Sequence, residues 1–551
     1  MVKKKRAPYV HLSPRAAARA DLWWKGAVIY QVYPRSFQDT DGDGVGDLPG
    51  ITRRLAYIEQ LGVDAIWISP FCKSPMKDYG YDVADYCAVD PLFGTLADFD
   101  ALLAEAHRLG LKVMMDFVPS HTSDQHAWFQ ESRQDRTNPK ADWYVWADPK
   151  PDGNPPNNWL AVFGGSTWEW EPRRGQYYLH NFLKEQPDLN FHSPQVIEAL
   201  LAQARFWLER GVDGFRVDAI DFGVHDPQLR NNPPRRMRAV GGSAPGSPFA
   251  MQAQVWNKAR PELIELFLKP LHALTARFEG TVLLGEISGD DALLRAAEYT
   301  QGGGLDIAYS FDLLSCPGTP AGIQDTILRL EKTIGDGWGC WSFSNHDVRR
   351  VVTRWGGDDP PEALRRLVPV LLGALRGTVC LYQGEELGLE EATLTFEQLK
   401  DPFGITFWPA FAGRDGCRTP MPWEGGAAEA GFSASEPWLP IPESHRRRAV
   451  DLQDRDPASV LNTTRAFLNW RRERLPLRTG RIDFLRGKGD VLAFERSLND
   501  RILCLFNLGG ETATYSAKRP PLDAGFCSDG VSFKSRTVTL PPWGYAFAHL
   551  E

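Results

Sequence analysis

Residues 194–219, PQVIEALLAQARFWLERGVDGFRVDA, combine a helical pattern with a short apolar run that follows it. The apolar residues of the first part share one helical face: Ile197, Leu200, Leu201, Ala204 and Leu208. This part ends at Gly211, and helices often end at a glycine. The run Gly214–Ala219 is typical of a buried parallel strand. The stretch therefore predicts one helix–strand repeat of an α/β protein.

The same alternation continues outward from this stretch in both directions. A second helical pattern covers Thr95–Gly110. The strand-like runs are Ala27–Tyr33, Val63–Pro70, Lys112–Val118, Gly214–Ala219, Val282–Ile287, Asp306–Phe311, Gly339–Ser344 and Val379–Gln383. Eight such units predict a closed (β/α)₈ TIM barrel, with the active site at the C-terminal ends of the strands.

Two irregular stretches and a change of pattern predict the domains. Residues 121–180 are rich in Pro, Gly, Asn and Trp and are too long for a simple loop, so we expect an inserted subdomain after strand three. The barrel would then occupy residues 1–120 and 181–475, with an irregular insert at about 387–442. The strand-like runs Val491–Glu495, Ile502–Phe506, Thr537–Leu540 and Tyr545–His549 predict an antiparallel β-sandwich over residues 476–551.

Charge and composition exclude several classes of partner. The formal charge of -8 on 551 residues disfavours nucleic acid and anionic membranes as partners. No apolar run reaches about 18 residues, and the basic start of Met1–Asp21 is not followed by the apolar region of a signal peptide. The eight cysteines are scattered singly. We therefore expect a soluble, cytoplasmic monomer or homodimer, with neither disulfides nor zinc, that acts on a small neutral molecule.

Acidic and basic residues follow four of the predicted strands. Asp116-Phe-Val-Pro-Ser-His121 follows strand three, Gly-Phe-Arg216-Val-Asp218 forms strand four, Glu286 closes strand five, and Ser-Asn-His346-Asp347 follows strand seven. Burying a carboxylate at the end of an apolar strand costs several kcal/mol unless function retains it. All these residues therefore belong to one predicted catalytic rim.

The chain resembles glycoside hydrolase family 13, the α-amylase family, in its α-glucosidase and oligo-1,6-glucosidase branch. Besides the strand ends, the resemblance rests on four blocks: Gly26–Phe37 (GAVIYQVYPRSF), Gln186–Asn190 (QPDLN), Gly384–Gly388 (GEELG) and Arg414–Trp423 (RDGCRTPMPW). It implies that Asp218 is the nucleophile, Glu286 the acid/base and Asp347 the carboxylate that stabilises the distorted sugar. It also implies a glucose pocket formed by Asp78, Tyr81, His121, Phe163, Phe182, Arg216, His346 and Arg414.

These residue types suit a retaining glycosidase. Such an enzyme needs a nucleophile and a proton donor whose carboxyl groups are roughly 5–5.5 Å apart. Arg216 points to the same face of its strand as Asp218 and is expected to keep it ionised, whereas Glu286 must carry a proton at rest. His121 and His346 are expected to donate hydrogen bonds to sugar hydroxyls, and Tyr81 to stack on the ring.

A loop between strand one and helix one predicts a structural cation. In Asp39-Thr-Asp41-Gly-Asp43-Gly-Val45-Gly-Asp47, carboxylates alternate as at the start of a calcium-binding loop, although Gly50 replaces the glutamate that would complete an EF-hand. The resemblance implies Ca²⁺ or Mg²⁺ held by the four aspartates and the Val45 carbonyl. A metal-free turn is the alternative.

The leading hypothesis is an exo-acting α-glucosidase that also transfers glucose to acceptors. Two alternatives from the same family are a trehalose-forming maltose isomerase and an oligo-1,6-glucosidase. Relatives that prefer α-1,6 bonds usually carry Val after the nucleophile, whereas this chain has Ala219. The resemblance therefore implies a preference for α-1,4 bonds. A non-catalytic transporter subunit with the same barrel would lack the carboxylates and carry a membrane helix.

Overall fold

The computed structural model describes residues 22–235, 248–258, 260–289 and 291–550. Within them, eight parallel strands close into a barrel, so the predicted fold is confirmed. The strands are β1 Val28–Val32, β2 Ala65–Ile68, β3 Lys112–Phe117, β4 Gly214–Val217, β5 Val282–Ile287, β6 Ile307–Ser310, β7 Gly339–Trp341 and β8 Thr378–Tyr382. All lie inside their predicted runs except β8, which begins one residue earlier. The prediction for Met1–Asp21 lies outside the described residues.

In the described part of the chain, eight helices surround the barrel: α1 Leu48–Gln60, α2 Leu96–Arg108, α3 Pro194–Glu209, α4 Lys269–Thr275, α5 Ala292–Gln301, α6 Pro320–Ile334, α7 Glu362–Ala374 and α8 Val460–Arg472. Helix α2 begins at a capping box in which Thr95 and Asp98 bond each other's backbone N–H groups. Shorter helical segments are Pro34–Ser36, Ala127–Ser132, Ile220–Phe222, Pro248–Met251, Ile264–Leu268, Val351–Gly356, Phe396–Gln398, Pro402–Phe407, Asp415–Cys417, Ala428–Gly431, Glu443–Arg446, Val450–Asp454 and Leu475–Thr479.

Three aspartates, which we call the N-terminal-rim carboxylates, lie at the N-terminal end of the barrel. Asp64, Asp213 and Asp306 each precede a strand and accept a hydrogen bond from a backbone N–H of the neighbouring strand. The distances are 2.8 Å to Val28, 2.9 Å to Val113 and 3.0 Å to Leu283. These bonds satisfy donors that the strand ladder leaves open, so carboxylates at this end serve the fold.

The insert after β3 forms its own small sheet. Strands Trp146–Ala147, Trp168–Glu171 and Gln176–Leu179 pair antiparallel, with Gln176–Leu179 in the centre. Isolated bridges join His121 to Asp188 and Tyr144 to Leu189, so the pairing of this region extends past residue 180. The limits of 121 and 180 remain a prediction. Strands Cys72–Lys73 and Asp85–Val89 form a separate hairpin after β2.

The C-terminal domain contains two antiparallel sheets. Its strands are β9 Arg481–Leu485, β10 Val491–Ser497, β11 Arg501–Asn507, β12 Ala513–Ser516, β13 Asp523–Cys527, β14 Ser532–Lys534, β15 Thr537–Leu540 and β16 Tyr545–Leu550. The orders are β9-β10-β11-β16-β13 and β12-β15-β14. Leu503 of the larger sheet packs with Val538 of the smaller one, whereas Phe547 faces Phe467 of α8, with 5.3 Å between ring centroids. The larger sheet therefore joins the smaller sheet to the barrel.

Among the helices of the described residues, none has the length and apolar character needed to cross a membrane.

Candidate active site

A cavity of about 360 Å³ lies at the C-terminal ends of the barrel strands. Its walls include the three predicted catalytic carboxylates, Asp218, Glu286 and Asp347, and six of the predicted pocket residues: Asp78, Tyr81, His121, Phe163, Phe182 and Arg414. The barrel thus gathers residues from distant parts of the sequence. Arg216 and His346 are buried, 1% and 0% exposed, and contact members of the cavity wall from behind.

The guanidinium of Arg216 holds the two central carboxylates together. Its Nη1 donates to Asp218 and also to Asp116 Oδ1 at 2.7 Å, while its Nη2 donates to Glu286 Oε2 at 2.8 Å. Side chains two residues apart on a strand point to the same side, which brings Arg216 to Asp218. The ring of Trp67 lies 4.9 Å from the guanidinium carbon. One cation therefore sets the positions of the predicted nucleophile and acid/base.

Burial and neighbouring charge act in opposite directions on these acids. Burial raises the pKa of Asp218 well above its ordinary value, Arg216 lowers it, and the carboxylate of Glu286 raises it again. Burial likewise raises the pKa of Asp116 to about 6 against the pull of Arg216. Arg216 is thus the group that favours the ionised form of Asp218.

Glu286 closes β5 and accepts a second hydrogen bond from the strand end beside it. The backbone N–H of Ala219 donates to Glu286 Oε2 at 2.8 Å. Ala219 has φ 38° and ψ 39°, the left-handed conformation that residues with a Cβ seldom adopt. This turn ends β4 at Val217, earlier than predicted, and aims the N–H at the acid/base.

Asp347 sits between two arginines. Arg414 and Arg418 each donate to its Oδ1 at 3.1 Å. Although burial opposes the effect, these two arginines hold the pKa of Asp347 below its ordinary value. Asp347 is therefore ionised across the physiological range.

Arg414 also forms the floor beside Asp347. It reaches Asp78 Oδ1 at 2.9 Å and Asp401 Oδ1 at 2.8 Å. Both aspartates are buried, 4% and 0% exposed. Arg414 thus joins three buried or cavity-lining carboxylates in one group of ion pairs.

Two neutral histidines support the wall that contains Tyr81. Burial lowers the pKa of His346 to about 3 and that of His121 to about 4. The Gln31 amide donates to Nδ1 of His346, so Nε2 carries the hydrogen, and this nitrogen lies 2.6 Å from the Tyr81 hydroxyl oxygen. The Tyr81 and His346 rings stack at 5.4 Å. The expected contact of His346 with a sugar hydroxyl remains a prediction, because His346 lies outside the cavity wall.

Aromatic side chains form another part of the cavity wall. Phe163 and Phe182 both line the cavity, with 6.3 Å between their ring centroids. Phe163 also contacts Phe403 at 5.1 Å, and Phe182 contacts Phe222 at 5.1 Å. These rings pack on each other and line the cavity, and their binding role stays a prediction.

Several residues at the site were not predicted as such. Gln186 lines the cavity and donates to Asp78 Oδ2 at 3.2 Å. Gln186 and Arg418 stand inside the QPDLN and RDGCRTPMPW blocks, and that was the available signal. Lys258 and Phe403 lie in stretches without a motif, and only the fold brings them to the cavity.

The predicted cation loop is only partly assembled around one point. Oxygens of Asp39, Asp41 and Asp43 lie within 4.8 Å of one another. Asp47 is outside this group because its carboxylate caps α1, accepting from Gly50 N at 2.6 Å and from Thr40 N at 2.8 Å. The backbone N–H of Val45 donates to Asp43 Oδ1 at 2.8 Å. Three hard oxygen donors without a cationic side chain among them fit Ca²⁺ or Mg²⁺ chemically.

The sequence and fold are similar to those of known proteins. Residues 31–480 match the model of the α-amylase catalytic domain. A probable α-glucosidase of Rhizobium meliloti is 54% identical, over 96% of this chain and 97% of its own length. An oligo-1,6-glucosidase of Heyndrickxia coagulans is 37% identical, over 90% and 93%. The crystal structure of an α-glucosyl transfer enzyme, XgtA, superposes with a TM-score of 0.93 at 55% identity, over 96% of this chain and 99% of that one.

Proposed function

Because this chain belongs to the α-amylase family of glycoside hydrolases, we propose that it is a retaining, exo-acting α-glucosidase. It would release glucose from the non-reducing end of short α-glucosides and also transfer glucose to acceptors. The probable α-glucosidase at 54% identity supports the hydrolytic part, and the α-glucosyl transfer enzyme at 55% identity supports the transfer.

The observation that carries the proposal is the single guanidinium that bonds both Asp218 and Glu286. A shared guanidinium supports double displacement, in which the two carboxyl groups lie roughly 5–5.5 Å apart, over inversion, which needs room for a water between them. Asp218 attacks the anomeric carbon while Glu286 gives its proton to the leaving oxygen, so a glucosyl ester forms and the glycosidic bond breaks. Glu286 then takes a proton from water or an acceptor hydroxyl, whose oxygen displaces Asp218.

The closed floor supports exo action on the terminal glucose. Arg414, Asp78 and Asp347 line the cavity and their ion pairs extend to the buried Asp401, an arrangement that would block a longer chain on that side. The ionised Asp347 and the fixed arginine offer charged hydrogen bonds to hydroxyls of a neutral sugar. A cavity of about 360 Å³ is at the small end of ligand sites, which suits short substrates.

The linkage is the finer part of the proposal, and we place α-1,4 first. Ala219 lines the cavity beside Asp218 and leaves room that a β-branched residue would fill. The 37% identity to an oligo-1,6-glucosidase favours the second candidate, α-1,6 hydrolysis.

Product analysis with maltose, isomaltose, sucrose and trehalose tests these proposals. Glucose that appears first as the α-anomer by NMR supports a retaining glucosidase, and trehalose formed from maltose would identify an isomerase instead. Faster turnover of isomaltose than of maltose would make α-1,6 hydrolysis the function.

The structural cation is a further part of the proposal. Asp39, Asp41 and Asp43 would hold Ca²⁺ or Mg²⁺, which would supply charge neutralisation in the loop and no step of the reaction. The loop is bonded to a distant segment, Asp39 N to Phe432 O and Trp438 N to Gly44 O, both at 3.0 Å. Tightening it would therefore stabilise the contact between residues 39–47 and 432–438.

We further propose a cytoplasmic location and a monomer or homodimer that works on free oligosaccharides or glucosides. The eight cysteines, all within the described residues, are free thiols, which is the usual state in a reducing compartment. Fractionation and light scattering would test location and assembly.

A further inference from the structure

A buried carboxylate close to Asp218 in sequence takes no part in the chemistry proposed above. Asp221 is 1% exposed and lies in the helical turn Ile220–Phe222 that follows β4. It is not among the residues that line the cavity, so it is placed to contact protein groups and not substrate. A charge buried this deeply is costly unless its hydrogen bonds repay it.

Asp221 connects three elements of the barrel rim. Its Oδ2 accepts from the backbone N–H of Ser288 at 3.1 Å, and its Oδ1 accepts from the Tyr299 hydroxyl at 3.0 Å. Ser288 lies just past Glu286 at the end of β5, and Tyr299 is on α5. The carboxylate therefore ties the turn after the nucleophile to the segment that carries the acid/base.

The turn after β4 makes a second hydrogen bond to the segment that carries Glu286. The N–H of Ala219 bonds the carboxylate of Glu286, while Asp221 bonds the backbone at Ser288. One contact orients the side chain and the other fixes the chain that bears it. Without the second contact the Glu286 segment can shift, and a misplacement of about 1 Å in a reacting group can cost about 100-fold in rate.

Positively charged side chains next to Asp221 offset part of the cost of burying its carboxylate. Burial raises the pKa of Asp221, and the charges of Lys258 and Arg295 oppose that rise. Lys258 Nζ also donates to the Ser288 hydroxyl at 3.3 Å and lies 4.4 Å from the ring centroid of Phe222. Ser288 is thus held through its backbone by Asp221 and through its side chain by Lys258.

We propose that Asp221 is a positioning residue that fixes the Glu286 segment and so sets the efficiency of proton transfer to the leaving group. This inference rests on the proposed role of Glu286 as the acid. It predicts a selective defect. Substitution of Asp221 should lower kcat/KM for substrates whose leaving group needs a proton, and should leave kcat/KM nearly unchanged for substrates whose leaving group does not.

The test compares kcat/KM of Asp221→Ala on maltose and on a dinitrophenyl α-glucoside. This parameter reports steps up to formation of the glucosyl ester, and only maltose needs protonation of its leaving group. We expect a loss of about 100-fold on maltose and less than about threefold on the aryl glucoside. Glu286→Gln provides the reference for the same selectivity at full strength.

Two further variants separate positioning from simple loss of a buried charge. Asp213→Ala removes one of the N-terminal-rim carboxylates, which lies at the opposite end of β4. Like Asp221, Asp213 accepts a hydrogen bond from a backbone N–H, that of Val113. Asp213→Ala should leave the ratio of the two substrates as in the wild type. Asp221→Asn keeps an oxygen that can accept from Ser288 N, so it should recover part of the maltose activity and serves if the alanine variant does not fold.

Equal losses on both substrates in Asp221→Ala and Asp221→Asn, or the same selectivity in Asp213→Ala, would overturn the positioning role. If Glu286→Gln itself lacks selectivity, the proposed role of Glu286 fails first, and with it this inference. A wild-type protein inactive on both glucosides would refute the proposed function, which is a separate result.

Discussion

Asp218 is the side chain whose replacement should cost most, because it is the group proposed to form the glucosyl ester. Asp218→Asn keeps the shape and removes the nucleophile, so we expect kcat/KM for maltose to fall by about four or more orders of magnitude, a barrier increase of about 5 kcal/mol or more. Steady-state kinetics on maltose measures this.

Glu286→Gln is the matched control for that loss. It should still load glucose from an activated aryl glucoside, and intact mass should show one extra glucosyl unit. An active Asp218→Asn variant, or an adduct that forms on it, would contradict the assignment of the nucleophile.

Arg216 should set the acidic limit of activity. Asp218 must be ionised to attack, so kcat/KM falls as pH drops through its pKa. Burial raises that pKa and Arg216 lowers it. Arg216→Gln removes the opposing charge, and the acidic limb of the pH profile should move to higher pH.

Arg216→Lys keeps the positive charge and is the control. In this variant the acidic limb of the kcat/KM pH profile should move less than in Arg216→Gln. An acidic limb that stays in place in Arg216→Gln would mean that another group governs it.

The sequence predicted most of the side chains at the site because each follows a strand or stands in a family block. Asp221 and Lys258 were missed for a physical reason. Their importance depends on contacts with Ser288 and Tyr299, which are distant in sequence and meet only when β4, β5 and α5 close on each other. No spacing along the chain encodes such contacts.

The end of strand β4 lies two residues earlier than the apolar pattern predicted. The apolar pattern extended the strand to Ala219, but the chain leaves the sheet after Val217. The left-handed φ at Ala219 turns the backbone there. Hydrophobic pattern reports burial and not dihedral angles, so the turn that positions Glu286 was invisible to it.

Because Ala219 lies in this turn, its substitution by Val should change both the linkage preference and the stability of the protein. Ala219→Val narrows the space for the leaving sugar, and we expect the kcat/KM ratio of maltose to isomaltose to fall by about 10-fold or more. A β-branched residue is also disfavoured at a left-handed φ, so stability should drop by about 1–2 kcal/mol. Kinetics on both sugars and denaturant unfolding measure the two effects.

Ala219→Gly is the control for the backbone, because it relieves the strain without filling the space. An unchanged sugar ratio in Ala219→Val would show that residue 219 does not set the linkage.

For the whole molecule, the barrel and the C-terminal sheets were predictable because alternating apolar runs report buried strands directly. The small sheet of the insert was not, since its strands are short and interrupted: Trp146–Ala147 has two residues. Its stability comes from packing, such as the stacked rings of Trp159 and Trp168 at 5.9 Å, which no local pattern announces.

The proposed cation should act on the stability of the whole molecule and not on turnover. An ion that binds only the folded state adds stability by mass action, so chelation should lower Tm, and adding Ca²⁺ should restore it. Kinetics far below Tm should barely change. Asp41→Asn should weaken the response to chelator, because Asp41 is exposed and belongs to the three-carboxylate group.

If chelator abolished turnover and left Tm unmoved, the ion would take part in the chemistry. If neither quantity changed, the loop would be a metal-free turn.

Closure of the barrel also has a consequence for how the protein is made. The last strand pairs with the first, and Gln383 accepts from Tyr33 N across 350 residues of chain. At roughly 5–20 residues per second, the ribosome needs about 20–70 s to supply that partner. Throughout this interval one edge of β1 lacks its neighbour in a nascent chain of mainly apolar strands. We therefore expect the early barrel units to be prone to aggregation until β8 is made, and slow translation before β8 would prolong that interval.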